Sequence, residues 1–246
     1  MPSRLRFGLA ASLLAGLVTG LAIGLINAVV VGKLRANPII WTLAVSYVTK
    51  GLMRWIWLNR QIYPDIKGGE TNASRLFVDL YRHQVFGKIT LPMVILVVFV
   101  VLGQFVLKRT RFGQELKLVG ANILVARMTG VHVPRTVGIA FLISALASSV
   151  AGILITSLSK VGAYYNGAGF DFDAVTTVVI GGVTLSGGRG DIIGALGGVF
   201  VMGLMSNLMT LLGVDTFSQQ IVKGVVFIAV VAISAQALRR LGRDDA

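Results

Sequence analysis

The chain has 246 residues, of which 55% are hydrophobic and only 13% charged, with a formal net charge of +13 and a mean hydropathy of +0.81. A soluble domain of this length needs more surface charge, and repeated apolar runs near the roughly 20 residues that cross a ~30 Å hydrocarbon core place the chain in a membrane. The absence of cysteine excludes disulfides and thiolate metal sites, and basic residues gathered beside apolar spans, without an aromatic-interleaved stripe, indicate membrane lipid rather than nucleic acid as the partner.

The first apolar run covers about 7–31, behind Arg4 and Arg6. It is too long for the apolar region of a signal peptide, and further spans follow, so it is read as a retained helix. Its Gly16, Gly20 and Gly24 repeat at the spacing that lets two helices approach closely. A second run covers about 39–58 and a third about 89–107. In the third, Val94 to Leu102 is apolar on every face, unlike an alternating barrel strand. Backbone polar groups must pair internally in lipid, so the runs are expected to be helices. The loop between the second and third runs, 59–88, holds five basic residues and His83.

Segment 108–135 follows, with Lys108, Arg109, Arg111, Lys117, Arg127 and Arg135 against the single acid Glu115. Within it Asn122 is expected to cap a short helix running to Met128, and Gly130 to end that helix in the left-handed conformation. A short helix with apolar and basic residues projecting suits docking into a groove on a soluble partner. A solvated loop whose basic residues only set topology is the alternative reading. His132 lies in the same segment, far from His83, and no histidine-based metal centre is expected.

Apolar runs then cover about 136–158, 191–213 and 218–238, with a shorter glycine-rich one at about 173–188. Placing the basic segment 108–135 and the tail with Arg239, Arg240 and Arg243 on the cytoplasmic side needs an even number of crossings between them. The short glycine-rich run is therefore expected to cross, as a broken helix. Loop 59–88 and segment 159–172 then fall outside, and loop 32–38, with Lys33 and Arg35, inside. Trp55, Trp57, Tyr63, Tyr164 and Tyr165 lie near the outer boundaries, where amphipathic rings belong. The expected fold is all-α: a polytopic membrane helix bundle of about six to seven transmembrane helices, forming one transmembrane domain over 1–246.

The glycine cluster from Gly181 to Asp191 is not a phosphate-binding loop, since no Gly-Lys-Ser/Thr follows, and it lacks the context of a dinucleotide fingerprint. Close helix packing or a broken helix lining a pathway accounts for it, and Gly194 and Gly198 extend the small-residue spacing. Arg189-Gly190-Asp191 spells an adhesion tripeptide on the predicted cytoplasmic side, and Ser157-Leu158-Ser159-Lys160 lacks the companion motifs of a serine hydrolase; both are read as chance. Lys50, Arg54, Asp171, Asp173 and Lys223 fall near span ends, where snorkelling explains them, and no carboxylate sits in mid-span as a proton carrier would need. No catalytic constellation, cofactor motif or metal site is identified.

The run Gly181-Gly182-Val183-Thr184-Leu185-Ser186-Gly187-Gly188-Arg189-Gly190, continued through Gly194, Gly197, Asn207 and Leu211-Leu212-Gly213-Val214, resembles the ribose/xylose/galactoside-type ABC transporter permeases. So do Gly120-Ala121-Asn122 with Ala126 and Gly130-Val131, and Gln219-Gln220-Ile221-Val222-Lys223-Gly224. The resemblance covers roughly 20–238; branched-chain amino-acid permeases, which share the plan, are the nearest rival.

It implies a bacterial inner-membrane permease subunit that does no covalent chemistry. The implied partners are cytoplasmic ABC ATPase subunits, a periplasmic or lipid-anchored sugar-binding protein, and a second permease subunit in a homo- or heterodimer. By resemblance the ATPase-coupling loop comprises Gly113, Gly120, Asn122, Ala126, Arg127 and Gly130, and Asn166, Asn207 and Gln219 are candidates for the translocation path. Members of that family carry further N-terminal helices, so the first run here is expected to correspond to an internal one. That accounts for Arg4 and Arg6 falling on the outer side.

Overall fold

The computed structural model describes residues 9–58, 60–63, 77–86, 89–185 and 187–241, by backbone alone at 57, 85, 86 and 234–241. Arg4, Arg6, Ser186, Arg243 and much of loop 59–88, all used in the sequence reading, lie outside the described residues. The helices in chain order are α1 (Leu9–Lys33), α2 (Pro38–Trp57), α3 (Leu91–Arg109), α4 (Arg111–Ala121), α5 (Ile123–Met128), α6 (Val133–Ser159), α7 (Phe170–Ile180), α8 (Ile192–Leu211) and α9 (Thr216–Leu241). Ahead of α3, strands β1 (Gln84–Phe86) and β2 (Ile89–Thr90) pair antiparallel, with Gln84 opposite Thr90. The sequence places β1 in loop 59–88 and β2 at the start of the third apolar run, expected to be helical; the helix begins two residues later, at Leu91.

Among the described residues, α1, α3, α6, α8 and the Thr216–Ile233 stretch of α9 are long and apolar enough to cross a membrane. The protein is an all-α, polytopic membrane bundle. Its helices are apolar outward as well as inward: Val97, Val101 and Phe105 of α3 are all more than half exposed, as lipid rather than water as the surrounding solvent requires. The remaining two runs are different in kind. Helix α2 has the length to span but carries Lys50 and Arg54. Helix α7 has 11 residues, a rise of about 16 Å, roughly half of the hydrocarbon core. The predicted run 173–188 is thus a short helix begun three residues earlier, followed by an irregular glycine segment.

Two compact units make up the chain, one of Met1–Phe99 with Gly130–Ala168 and one of Val100–Thr129 with Gly169–Ala246. In the first, α1 packs along α6 through small residues. A Cβ on Gly24 would collide with the Ala145 side chain, and one on Gly32 would lie 2.9 Å from the Pro134 carbonyl oxygen. The glycine spacing read from the sequence therefore has a partner in α6. Ser157, 1% exposed, donates its hydroxyl to the Phe77 carbonyl (2.7 Å) and accepts from the Tyr81 N–H (3.1 Å), which pins the segment after α2 to α6. Backbone bonds between Ile62 and Gly162 (3.0 and 2.7 Å) do the same at the end of α6. Arg54 stacks on the Tyr164 ring at 4.6 Å and donates to its hydroxyl at 3.1 Å.

In the second unit, Gly181, Gly194 and Gly198 bring α7 and α8 to backbone distance; a Cβ on any of them would meet backbone atoms of the other helix. Helix α9 reaches α7 through Phe172 and Phe227, edge to face at 6.4 Å, and through the Lys223–Asp173 ion pair at 2.6 Å. Snorkelling does not describe these two charges. Each is about three-quarters buried, and pairing replaces the solvation that burial removes.

Candidate functional site: the basic loop and the glycine segment

At the end of α3 the chain reverses within a few residues. Thr110 donates its hydroxyl to the Val106 carbonyl (2.6 Å) and accepts from the Gly113 N–H (3.3 Å), closing α3 and capping α4 with one side chain. Gly113 is buried, and a Cβ there would collide with the Val106 and Leu107 carbonyls. No other residue fits that reversal without displacing the backbone.

Asn122 then does two jobs. It is extended (φ −159°, ψ 112°), ending α4, and its Oδ1 accepts from the Leu124 N–H (2.9 Å) and the Val125 N–H (3.2 Å), starting α5. Gly130, at φ +82°, follows the end of α5 in the left-handed region. The predicted cap and stop are both in place. Helix α4 was missed, although Thr110 as a cap and Phe112, Leu116 and Val119 at helical spacing were available to signal it.

The six residues assigned to the loop by resemblance divide by environment. Ala126 is fully buried and faces inward, whereas Leu124 is 70% and Met128 88% exposed. Asn122, Arg127 and Gly130 are exposed; Gly113 is buried and Gly120 half-buried. Ala126, Gly113 and Gly120 shape the loop, and α5 presents Leu124, Arg127 and Met128 outward.

Gly120 owes its identity to a backbone contact that spacing could not reveal. A Cβ there would lie 2.6 Å from the Gly188 amide nitrogen, and a Cβ on Gly188 would lie 2.7 Å from Ala121 Cα. The glycine segment thus lies directly on the end of α4. Gly188 has φ +76°, a conformation that excludes side chains on strain as well as on space. Thr184 stabilises the segment by accepting the Gly187 N–H at its carbonyl (3.0 Å) and donating its hydroxyl to the Gly187 and Arg189 carbonyls (2.9 and 3.2 Å). Irregular backbone survives beside a membrane only when its polar groups are paired in this way.

A second tie lies beside the first. Lys108, at the end of α3, pairs with Asp191 at 3.1 Å, and Asp191 caps α8 by accepting the Ile192 N–H at 3.0 Å. The hydrogen bond from Lys108 holds the Asp191 carboxyl below its ordinary range; desolvation opposes it, and Gln104, the Lys108 charge and the Ile192 N–H pull the same way as the hydrogen bond. Both partners are exposed, so the pair fixes geometry more than stability.

The three path candidates are divided between the two units. In the first unit, Asn166 donates its amide to the Val161 carbonyl (2.7 Å) and Ser159 hydroxyl (3.1 Å), holding the turn after α6. In the second, Gln219 donates to the Val214 carbonyl (3.0 Å) and Thr210 hydroxyl (3.3 Å), holding the turn before α9. Asn207 is exposed on α8. Asp215 supports the same turn: the Ser218 hydroxyl and the Ser218 and Phe217 N–H groups bond its carboxylate and lower its pKa.

Residues 2–231 match the family described as branched-chain amino acid transport system / permease component. The chain is 33% identical over 215 residues to a ribose import permease protein of Bacillus subtilis, covering 84% of this chain and 62% of the relative. It is 33% identical over 205 residues to an L-arabinose transport system permease protein of Escherichia coli, covering 83% and 60%. A xylose transport system permease protein of Escherichia coli is 35% identical over 149 residues, covering 61% and 38%. The chain therefore spans about six-tenths of the length of the first two relatives. No solved structure matches it.

Proposed function

The chain belongs to the branched-chain amino acid transport system / permease component family, and on that premise we propose that it is the membrane-spanning permease subunit of an ATP-binding-cassette importer that forms the path for a sugar. It is a multi-pass inner-membrane protein. In the proposed assembly, cytoplasmic ABC ATPase subunits supply ATP hydrolysis, a periplasmic or lipid-anchored binding protein delivers solute, and a second permease subunit completes a homo- or heterodimer. The chain itself does no covalent chemistry. The relatives named for ribose, arabinose and xylose support a sugar over the amino acid of the family description.

One observation carries the mechanism: α5 projects Leu124, Arg127 and Met128 while α4 behind it lies against the glycine segment. A soluble partner gripping α5 would move a rigid capped element. That element touches the glycine segment by backbone, and the end of α3 just before it is tied to the start of α8 by the Lys108–Asp191 pair, so its displacement would reach the segment that follows the short helix α7. Because the contacts are backbone to backbone, little motion would be absorbed by side-chain rearrangement.

The test is recovery of a C-terminally tagged chain from native membranes in mild detergent. An ATP-hydrolysing subunit is expected to copurify with it, and replacing Leu124 and Met128 by glutamate should release that subunit while the chain stays inserted. A stably inserted chain that brings down no ATPase contradicts the proposal.

A further inference from the structure

We propose that the cavity bounded by α1, α2 and α6 is a binding site for an uncharged polyol, a reading that rests on the transport function above and gives its cargo a place. The cavity lies within the first unit and measures about 740 Å³, inside the roughly 300–1,000 Å³ of small-molecule clefts. Its walls belong to apolar membrane helices, yet hydroxyl and amide side chains recur on all three: Thr19 and Asn27 from α1, Thr42 from α2, and Ser148, Ser149 and Thr156 from α6.

The donor and acceptor pattern of those groups selects the ligand. Thr19 donates its hydroxyl to the Ala15 carbonyl (2.8 Å), Thr42 to Pro38 (2.8 Å), Ser149 to Ala145 (2.7 Å) and Thr156 to Gly152 (2.8 Å), each one turn back along its own helix. A hydroxyl has one hydrogen, so these oxygens can only accept further hydrogen bonds. Asn27 adds an acceptor of its own: its Oδ1 is buried and has no partner among the described residues. A buried acceptor left unpaired is costly, and one rotation of the amide would offer either end to a ligand in the cavity.

An acceptor-rich wall suits a ligand with many O–H donors. It does not suit a zwitterion. Among the described residues no Lys, Arg, Asp or Glu lines the cavity, so they offer the carboxylate of an amino acid no cation within an apolar membrane cleft. Phe141 is among the lining residues, and an aromatic ring can pack against the C–H side of a sugar ring. The chemistry therefore favours the cargo class named by the sugar relatives over that of the family description.

The chain has no cysteine, which makes a direct test available. Ser148→Cys places one thiol in the cavity, and Gly203→Cys, where a Cβ meets nothing within 4 Å, places a control in the second unit. Purified full-length chain is labelled with a maleimide in the presence of D-ribose, L-arabinose, D-xylose or L-leucine. At least one of the sugars is expected to slow labelling at position 148 several-fold and to leave 203 unchanged, with leucine inert. Adding Asn27→Leu, or Asn27→Ala should the larger side chain disturb folding, is expected to abolish that protection.

Protection by leucine, no protection by any sugar, or equal effects at 148 and 203 would overturn the site. Undiminished protection in both Asn27 variants would overturn the role of its amide. The transport reading fails separately: sugar protection without ATPase recovery keeps the site and removes the function, and ATPase recovery without protection does the reverse.

Discussion

Glycine does different work in the two units. Along α1, Gly16, Gly20 and Gly24 are ordinary helical residues whose missing side chain lets α6 approach. In the segment after α7, Gly187 and Gly188 hold left-handed backbone and lie against the backbone of Gly120 and Ala121. The first use is a matter of space between side chains, which can shift. The second joins space to conformation, and neither peptide chain can move aside. Equal glycine density therefore hides unequal tolerance, and substitution should rank the two regions.

Gly188→Ala is the sharpest way to break the comparison. It meets Ala121 Cα at 2.7 Å and carries φ +76°, so overpacking and backbone strain combine to about 2–6 kcal/mol. The melting transition of the detergent-purified chain, followed by tryptophan fluorescence, should fall the furthest of the series, or the protein should fail to insert. Gly24→Ala comes next: its Cβ collides with the Ala145 methyl, a side-chain overpacking of about 1–3 kcal/mol. Pairing it with Ala145→Gly should restore most of the loss, whereas no single partner change should rescue Gly188→Ala. Equal losses at the two positions would erase the distinction.

Smaller effects sharpen it. Lys108→Met removes the exposed tie to Asp191 and should shift melting only slightly while reducing ATP-driven transport, since the pair sets geometry. The folded Asp191 carboxyl titrates below its unfolded value, so its contribution is present above the unfolded pKa and is lost as pH falls through the lower folded one. Between about pH 5 and 8 the melting difference between Lys108→Met and the parent should therefore stay flat. Gly16→Ala closes the series. Its Cβ would sit 3.6 Å from Ile153, an ordinary contact, and melting should change by less than about 0.5 kcal/mol.

How much of this was legible in the sequence follows from which interactions are local. Apolar runs revealed α1, α3, α6, α8 and α9, because crossing lipid imposes length and composition on each helix separately. The Asn122 cap and the Gly130 stop were legible for the same reason: each is settled within four residues. What escaped depends on distant partners. Nothing around Gly120 announces Gly188, nothing around Lys223 announces Asp173, and the short span of α7 was blurred because the glycines that follow it are as apolar as the helix. Ala126 entered as a contact residue and is fully buried. Motif matching identifies a segment, while burial decides which of its faces meets a partner.

The most direct test of the account is photo-crosslinking in native membranes from a probe at Met128, 88% exposed on α5, against one at Leu204, 68% exposed on α8. The account predicts that the Met128 probe captures an ATP-binding subunit and that the Leu204 probe does not. Capture of that subunit from neither position, or from Leu204 alone, would contradict it.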